Sequence, residues 1–279
     1  MSRVAHEAVA FGAVVRKEWL VLWRYPVNLV VTLGMAVLLP AAYVAQAYGF
    51  AGDSQQAIDA FTQRSGTPEL AGFIYLGWAV FMWISMMLWG PGMMLREQQM
   101  QGSLEAVFLT PVSRFALLFG PAAAHMAPAV MVFAVVGLML RFVFGVPISW
   151  GNLVGGLLVV AASVPVLFAL GAIFAVSVLR FRDAEGISGA VQGLVTVLCG
   201  ITYPIAVLPG WLQPISEALP PTQVLVALRA AVLQPVGPEG TLRRVLVLLL
   251  AGVVVGAAAI LLLGRSLRSA QQTGRLGQY

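Results

Sequence analysis

Of the 279 residues, 60% are apolar and only 10% are charged, and the mean hydropathy is +0.91. Soluble domains carry about 25% charged residues, so this composition excludes a soluble fold and describes an all-α, polytopic membrane protein with a single domain over residues 1–279. The net charge of +5 then reports membrane orientation and contact with anionic lipid, not nucleic-acid binding.

Six runs lack Asp, Glu, Lys and Arg: 25–52, 70–95, 115–140, 142–179, 186–216 and 245–264. Each reaches the ~20 residues needed to cross the hydrocarbon, which predicts six transmembrane helices. With both termini in the cytoplasm, eleven basic residues lie inside and five, Arg64, Arg141, Arg229, Arg243 and Arg244, lie outside. That bias satisfies the positive-inside rule.

Residues 4–25 place Phe11, Val15, Trp19, Leu22 and Trp23 on one helical face and Arg16, Lys17 and Arg24 off it. This is the pattern of an amphipathic helix lying in the membrane interface. The first span begins at Pro26 or Val27, passes Pro40 and ends near Tyr48; an external loop over 49–69 follows, with a short helix at 54–63. The second span, 70–95, holds Trp78, Met82, Trp83 and Met86. Thioethers and broad aromatic faces suit a surface that accepts varied apolar groups, so these four mark a candidate translocation path, with ordinary core packing as the alternative. Gly90-Pro91-Gly92 predicts a kink at the end of this span.

Residues 96–114 are polar, and their order predicts a short helix between two corners. Gly102 breaks the preceding helix, Ser103 caps the next, and Glu105 adds negative charge to its first turn. Pro111 disfavours a helical conformation at Thr110, which ends the helix near Leu109. The order Glu97, Gly102, Ser103, Leu104, Glu105, Thr110, Pro111, Ser113, Arg114 resembles the first cytoplasmic loop of type-2 permeases of ATP-binding-cassette (ABC) exporters. Gln98 and Gln99 carry less charge than that pattern, and Ala106-Val107-Phe108 is more apolar. The resemblance implies that 96–114 is a coupling helix seated on a nucleotide-binding subunit, with Phe108 on the docking face. It also implies that 4–25 is a connecting helix near that subunit, carrying Arg16, Lys17, Trp19 and Trp23. Arg24-Tyr25-Pro26 followed by Leu39-Pro40 looks like the entry to the first span in drug-exporter-like members.

The third span is expected from about 115 to 144, and Gly145, Pro147, Gly151 and Asn152 mark a turn before a fourth span that reaches 179. Phe181-Arg182-Asp183 resembles the family's second cytoplasmic loop, which implies a coupling role for Arg182 and Asp183. A fifth span is expected over 186–206. Seven of the sixteen prolines then fall between 204 and 238, so continuous helix is excluded; short helices at 211–219 and 222–233 are apolar yet too short to cross. The segment 203–239 is therefore expected to dip back into the membrane as a re-entrant helical hairpin between spans five and six. Tyr203-Pro204-Ile205, Leu208-Pro209-Gly210-Trp211-Leu212, Leu219-Pro220-Pro221-Thr222 and Leu228-Arg229 resemble the re-entrant helices of type-2 permeases. The sixth span is 245–264.

A phosphate-binding loop needs a lysine, and the only lysine is Lys17, with no glycine loop before it. Ion-coupled carriers bury carboxylates, whereas all eleven acids here fall in predicted loops or termini. Two distant histidines, His6 and His125, and one cysteine, Cys199, offer neither a catalytic set nor a metal site. The chain is thus expected to be no enzyme and to hold no cofactor itself. By resemblance it is the transmembrane permease subunit of an ATP-driven exporter, a multi-pass protein of a bacterial or archaeal plasma membrane. The same resemblance implies partner ATPase subunits that bind ATP and Mg, and a second permease, either a copy or a homologue. The apolar second span favours a hydrophobic or amphipathic cargo, a drug or lipid-like molecule, as in multidrug transport. Export of a lipid-linked glycan or polysaccharide is the alternative within the class, and an ion-coupled carrier the alternative outside it.

Overall fold

A computed structural model describes residues 3–51, 54–100, 123, 126–181, 184–234 and 237–273. Helix dominates, and no strand occurs among the described residues. Four of these helices are long and apolar enough to cross a membrane, and three more are apolar but shorter.

The first helix, α1 (Arg3–Arg24), stops at Tyr25 because Pro26 begins α2 (Pro26–Ala51), where a missing N–H costs nothing. Ala36, Pro40 and Val44 are buried and recur every four residues, so α2 packs along one narrow stripe and leaves Val27, Val30 and Leu38 exposed. After residues 52–53 comes α3 (Gln55–Ser65). Ser54 caps it by accepting from the Ala57 N–H, and Gly66 closes it in the left-handed region at φ 75°. The predicted helix here ends two residues earlier, at 63.

At the centre stands α4 (Leu70–Met100), which is continuous through Gly90-Pro91-Gly92. Every residue from Ala71 to Val80 is buried, as expected for a helix enclosed by others. Residues 101–122 lie outside the described residues. The next helix, α5 (Met126–Phe142), turns Ala129, Val132, Val136 and Leu140 inward at helical spacing.

The turn after α5 is shorter than the expected 145–152, because α6 (Trp150–Phe181) already includes Gly151 and Asn152. Ser149 fixes that start: its Oγ accepts from the Asn152 N–H at 3.2 Å. The side-chain amide of Asn152 then donates to Val232 O at 2.8 Å.

Helix α7 (Ala184–Leu198) ends eight residues short of the expected boundary at 206. Gly200, at φ 65°, turns the chain away, and a side chain there would meet Tyr203 O at 2.7 Å. A 3-10 turn (Ile205–Val207), α8 (Gln213–Ala218) and α9 (Pro220–Leu233) follow. Ten of the fourteen residues of α9 are buried. The last helix is α10 (Pro238–Thr273), whose most extensive partner is α6. Gly252 of α10 comes so close to α6 that an added Cβ would lie 3.0 Å from Pro165 Cβ.

Chain direction sorts these elements into two ends. At one lie the end of α2, α3, the start of α4, the end of α5, the start of α6, and α9 with the start of α10. Ser65 O accepts from Gln234 Nε2, the Tyr75 ring packs at a tilt against Phe144, and Asn152 binds Val232 across this end. At the other lie the end of α1, the start of α2, the end of α4 and the starts of α5 and α7.

Candidate functional site

A cavity of about 810 Å3 opens at the second end, among five helices. Val21 and Leu22 of α1, together with Tyr25, meet Asn28, Leu29, Thr32 and Leu39 of α2 on one side. On the other, α4 contributes Trp78, Phe81, Met82, Ser85 and Met86, while Pro128 of α5 and Gln192 of α7 close it. Among the described residues, no lining side chain is charged. Its walls are aliphatic, aromatic and thioether, interrupted by a few amides and hydroxyls, the make-up of a site for an apolar ligand with limited polarity.

Two of its polar groups are unused. Trp78 Nε1 and Ser85 Oγ are buried and have no hydrogen-bond partner among the described residues. Two others have local partners: Thr32 Oγ1 donates to Asn28 O at 2.8 Å and Gln192 Nε2 to Ser188 Oγ at 3.1 Å. Trp78 is held edge-on to Phe81 at 5.1 Å and against Tyr43 at 5.3 Å, so its indole is fixed by packing.

Three of the four residues singled out for a path, Trp78, Met82 and Met86, line this cavity together. Trp83 does not; it is 1% exposed and packs edge-on against Phe133 at 5.5 Å. On α1, Arg16, Lys17, Trp19 and Trp23 are all exposed, and the two indoles make an edge contact at 6.0 Å. Glu97 falls within α4. Gly102, Ser103, Leu104, Glu105, Phe108, Thr110, Pro111, Arg182 and Asp183 lie outside the described residues. Sequence reasoning missed Asn28, Ser85 and Gln192; a lone amide in an otherwise apolar run is the signal that marks the first and third.

A second arrangement, which sequence reasoning also missed, centres on Arg229. Counted above among the residues on the external side, it is 6% exposed and lies inside the first-described end. Its Nε donates to Phe73 O at 3.1 Å, Nη1 to Gly200 O at 2.8 Å and Nη2 to Ile201 O at 2.6 Å. The guanidinium carbon lies 3.4 Å from the centre of the Phe73 ring. One planar fork thus joins α9 to α4 and to the turn after α7, as only arginine's geometry permits. Gly77 makes the approach possible, since a Cβ there would fall 2.1 Å from Ile201 O.

Nearby, Tyr203 donates its hydroxyl hydrogen to Val197 O, and Ser216 donates to Leu198 O. Four carbonyls at and beyond the broken end of α7 therefore find donors in side chains of the following segment. That accounting is what lets a helix stop inside an apolar environment.

A search of curated proteins found no match. The model of one family, described as ABC-2 type transporter, matches residues 9–233, from α1 through the last residue of α9. That family is a permease domain and not a catalytic one. With a multi-pass helical fold and a match over most of its length, the chain belongs to the ABC-2 type transporter family.

Proposed function

We propose that this permease forms the path of an ATP-driven exporter for a hydrophobic or amphipathic molecule, drug-like or lipid-like. The observation that carries the reading is the cavity walled by Trp78, Phe81, Met82 and Met86, with no charged side chain among its described lining residues. Energy comes from separate ATPase subunits, and a second permease completes the complex. The chain crosses a bacterial or archaeal plasma membrane six times, with 203–239 re-entering from outside and both termini in the cytoplasm. In that orientation the cavity opens toward the inner leaflet. The end of α1 forms part of its wall, so a shift of the connecting helix by the ATPase changes the cavity directly.

The test is reconstitution with the partner ATPase and measurement of ATP hydrolysis against a lipophilic dye. Trp78→Ala and Met82→Ala should each raise the half-stimulating concentration several-fold. Stimulation by a hydrophilic sugar or ion, with no response to hydrophobic compounds, overturns the reading. The coupling role of 96–114 is tested in the same preparation. Truncating a buried aromatic anchor at an interface commonly costs about 2 kcal/mol or more, whereas an exposed charge pair is worth about 0–1 kcal/mol. Phe108→Ala should therefore lose co-purifying ATPase, and Glu105→Ala should keep it while losing stimulated hydrolysis. If both variants assemble, hydrolyse and export like the parent, that loop is not the coupling element.

A further inference from the structure

A separate cavity of about 330 Å3 lies between α9 and α10, at the end of the molecule opposite the path cavity. Arg243 and Arg244 line it, with Gln223, Val226, Val247 and Leu248. The two helices run antiparallel here: Ala231 and Thr241 both stand against Gly155 of α6, which sets Arg244 level with Ala227 and Leu248 level with Gln223. The groove is therefore cationic at its mouth and apolar a turn further in, about 6 Å deeper at 1.5 Å per residue, with one amide at the deeper level. Glu239 opens α10 and Glu217 lies in α8, yet no ion pair joins either arginine to a carboxylate among the described residues. Gln223 spends one of its amide hydrogens on Glu217 O at 2.6 Å and keeps the other.

We propose that this groove binds one anionic phospholipid. The Arg243 and Arg244 guanidinium groups take the phosphate oxygens, and the free Gln223 N–H meets a glycerol-ester carbonyl about one helical turn below. An acyl chain then runs along Val226, Val247 and Leu248. In the orientation proposed above, on which this one point rests, two adjacent arginines lie on the side that the positive-inside rule depletes, and this ligand explains them. The site requires neither the path nor the ATPase, so it stands or falls separately from the exporter reading.

The experiment uses the full chain, purified and stripped of lipid in a neutral detergent. Dioctanoyl phosphatidylglycerol, dioctanoyl phosphatidylcholine and inorganic phosphate are titrated in parallel, with thermal unfolding and native mass spectrometry as readouts. One phosphatidylglycerol per chain should bind, at least tenfold tighter than phosphatidylcholine. Arg243→Gln with Arg244→Gln should weaken it at least tenfold, Gln223→Leu several-fold, and Arg141→Gln at another basic position not at all. Equal affinity for phosphatidylcholine overturns the proposal, and so does an unchanged affinity in the double variant. Inorganic phosphate binding as tightly as phosphatidylglycerol would make this a bare anion site and overturn the lipid assignment. If the double variant fails to fold, headgroup selectivity of the parent and the Gln223→Leu comparison decide the matter.

Discussion

Arg229 joins three stretches of chain through one side chain, and its replacement separates geometry from charge. Arg229→Met removes all three donors and leaves Phe73 O, Gly200 O and Ile201 O without them; each orphaned buried group costs about 1–3 kcal/mol. Arg229→Lys keeps the charge, but one nitrogen cannot serve carbonyls on both α4 and the 200–201 turn, nor stack on Phe73, so the loss should still be about 2 kcal/mol. Thermal unfolding in detergent checks both; a lysine variant as stable as the parent would show that charge alone holds α9 in place. None of this was legible beforehand. The acceptors are main-chain carbonyls 28 to 156 positions away, and every residue carries such a group, so no residue type announces them. Gly77, likewise, reads in sequence as one more small residue in an apolar run.

At the scale of elements, the ends of helices were the hardest to place and the most informative. Ser54, Gly66 and Pro26 act on their own backbone, and the boundaries they set for α2 and α3 lay within two residues of expectation. The end of α7 did not, because a run of apolar residues continues past it and the donors that satisfy its carbonyls come from residues 203 and 216. Tyr203→Phe and Ser216→Ala should each cost about 1 kcal/mol. Amide hydrogen exchange at 199–205 should rise in both. Unchanged exchange there would mean that water or neighbouring backbone closes the helix end instead. The residues proposed for a path show the same lesson in miniature. Trp78, Met82 and Met86 recur every four positions and share a face, whereas Trp83 stands about 140° away from Trp78 at 100° per residue and packs inward. Residue type drew all four together; helical spacing separates the one that does not belong.

For the whole molecule, composition and charge-free runs carried most of what is now visible: an all-helical membrane protein, with family membership that follows over residues 9–233. The six-span reading makes a prediction of its own. A reporter active only in the cytoplasm should work when fused after Tyr279 and fail when inserted between Gln55 and Arg64; signal from the second position would require a different count of crossings. The cavity between α1, α2, α4, α5 and α7 was only partly foreseeable, because it depends on which faces of five helices converge, and periodicity speaks for one helix at a time.

The buried arginine also sets an order of events during biosynthesis. Phe73 and the 200–201 turn leave the ribosome before Arg229, the nearer of them by 28 residues. At synthesis rates of about 5–20 residues per second, the open carbonyls after α7 wait on the order of a few seconds for their donor. Every nascent copy therefore passes through a stage in which Tyr203 and Ser216 can already close the end of α7 while the Gly200 and Ile201 carbonyls just beyond it still lack the arginine.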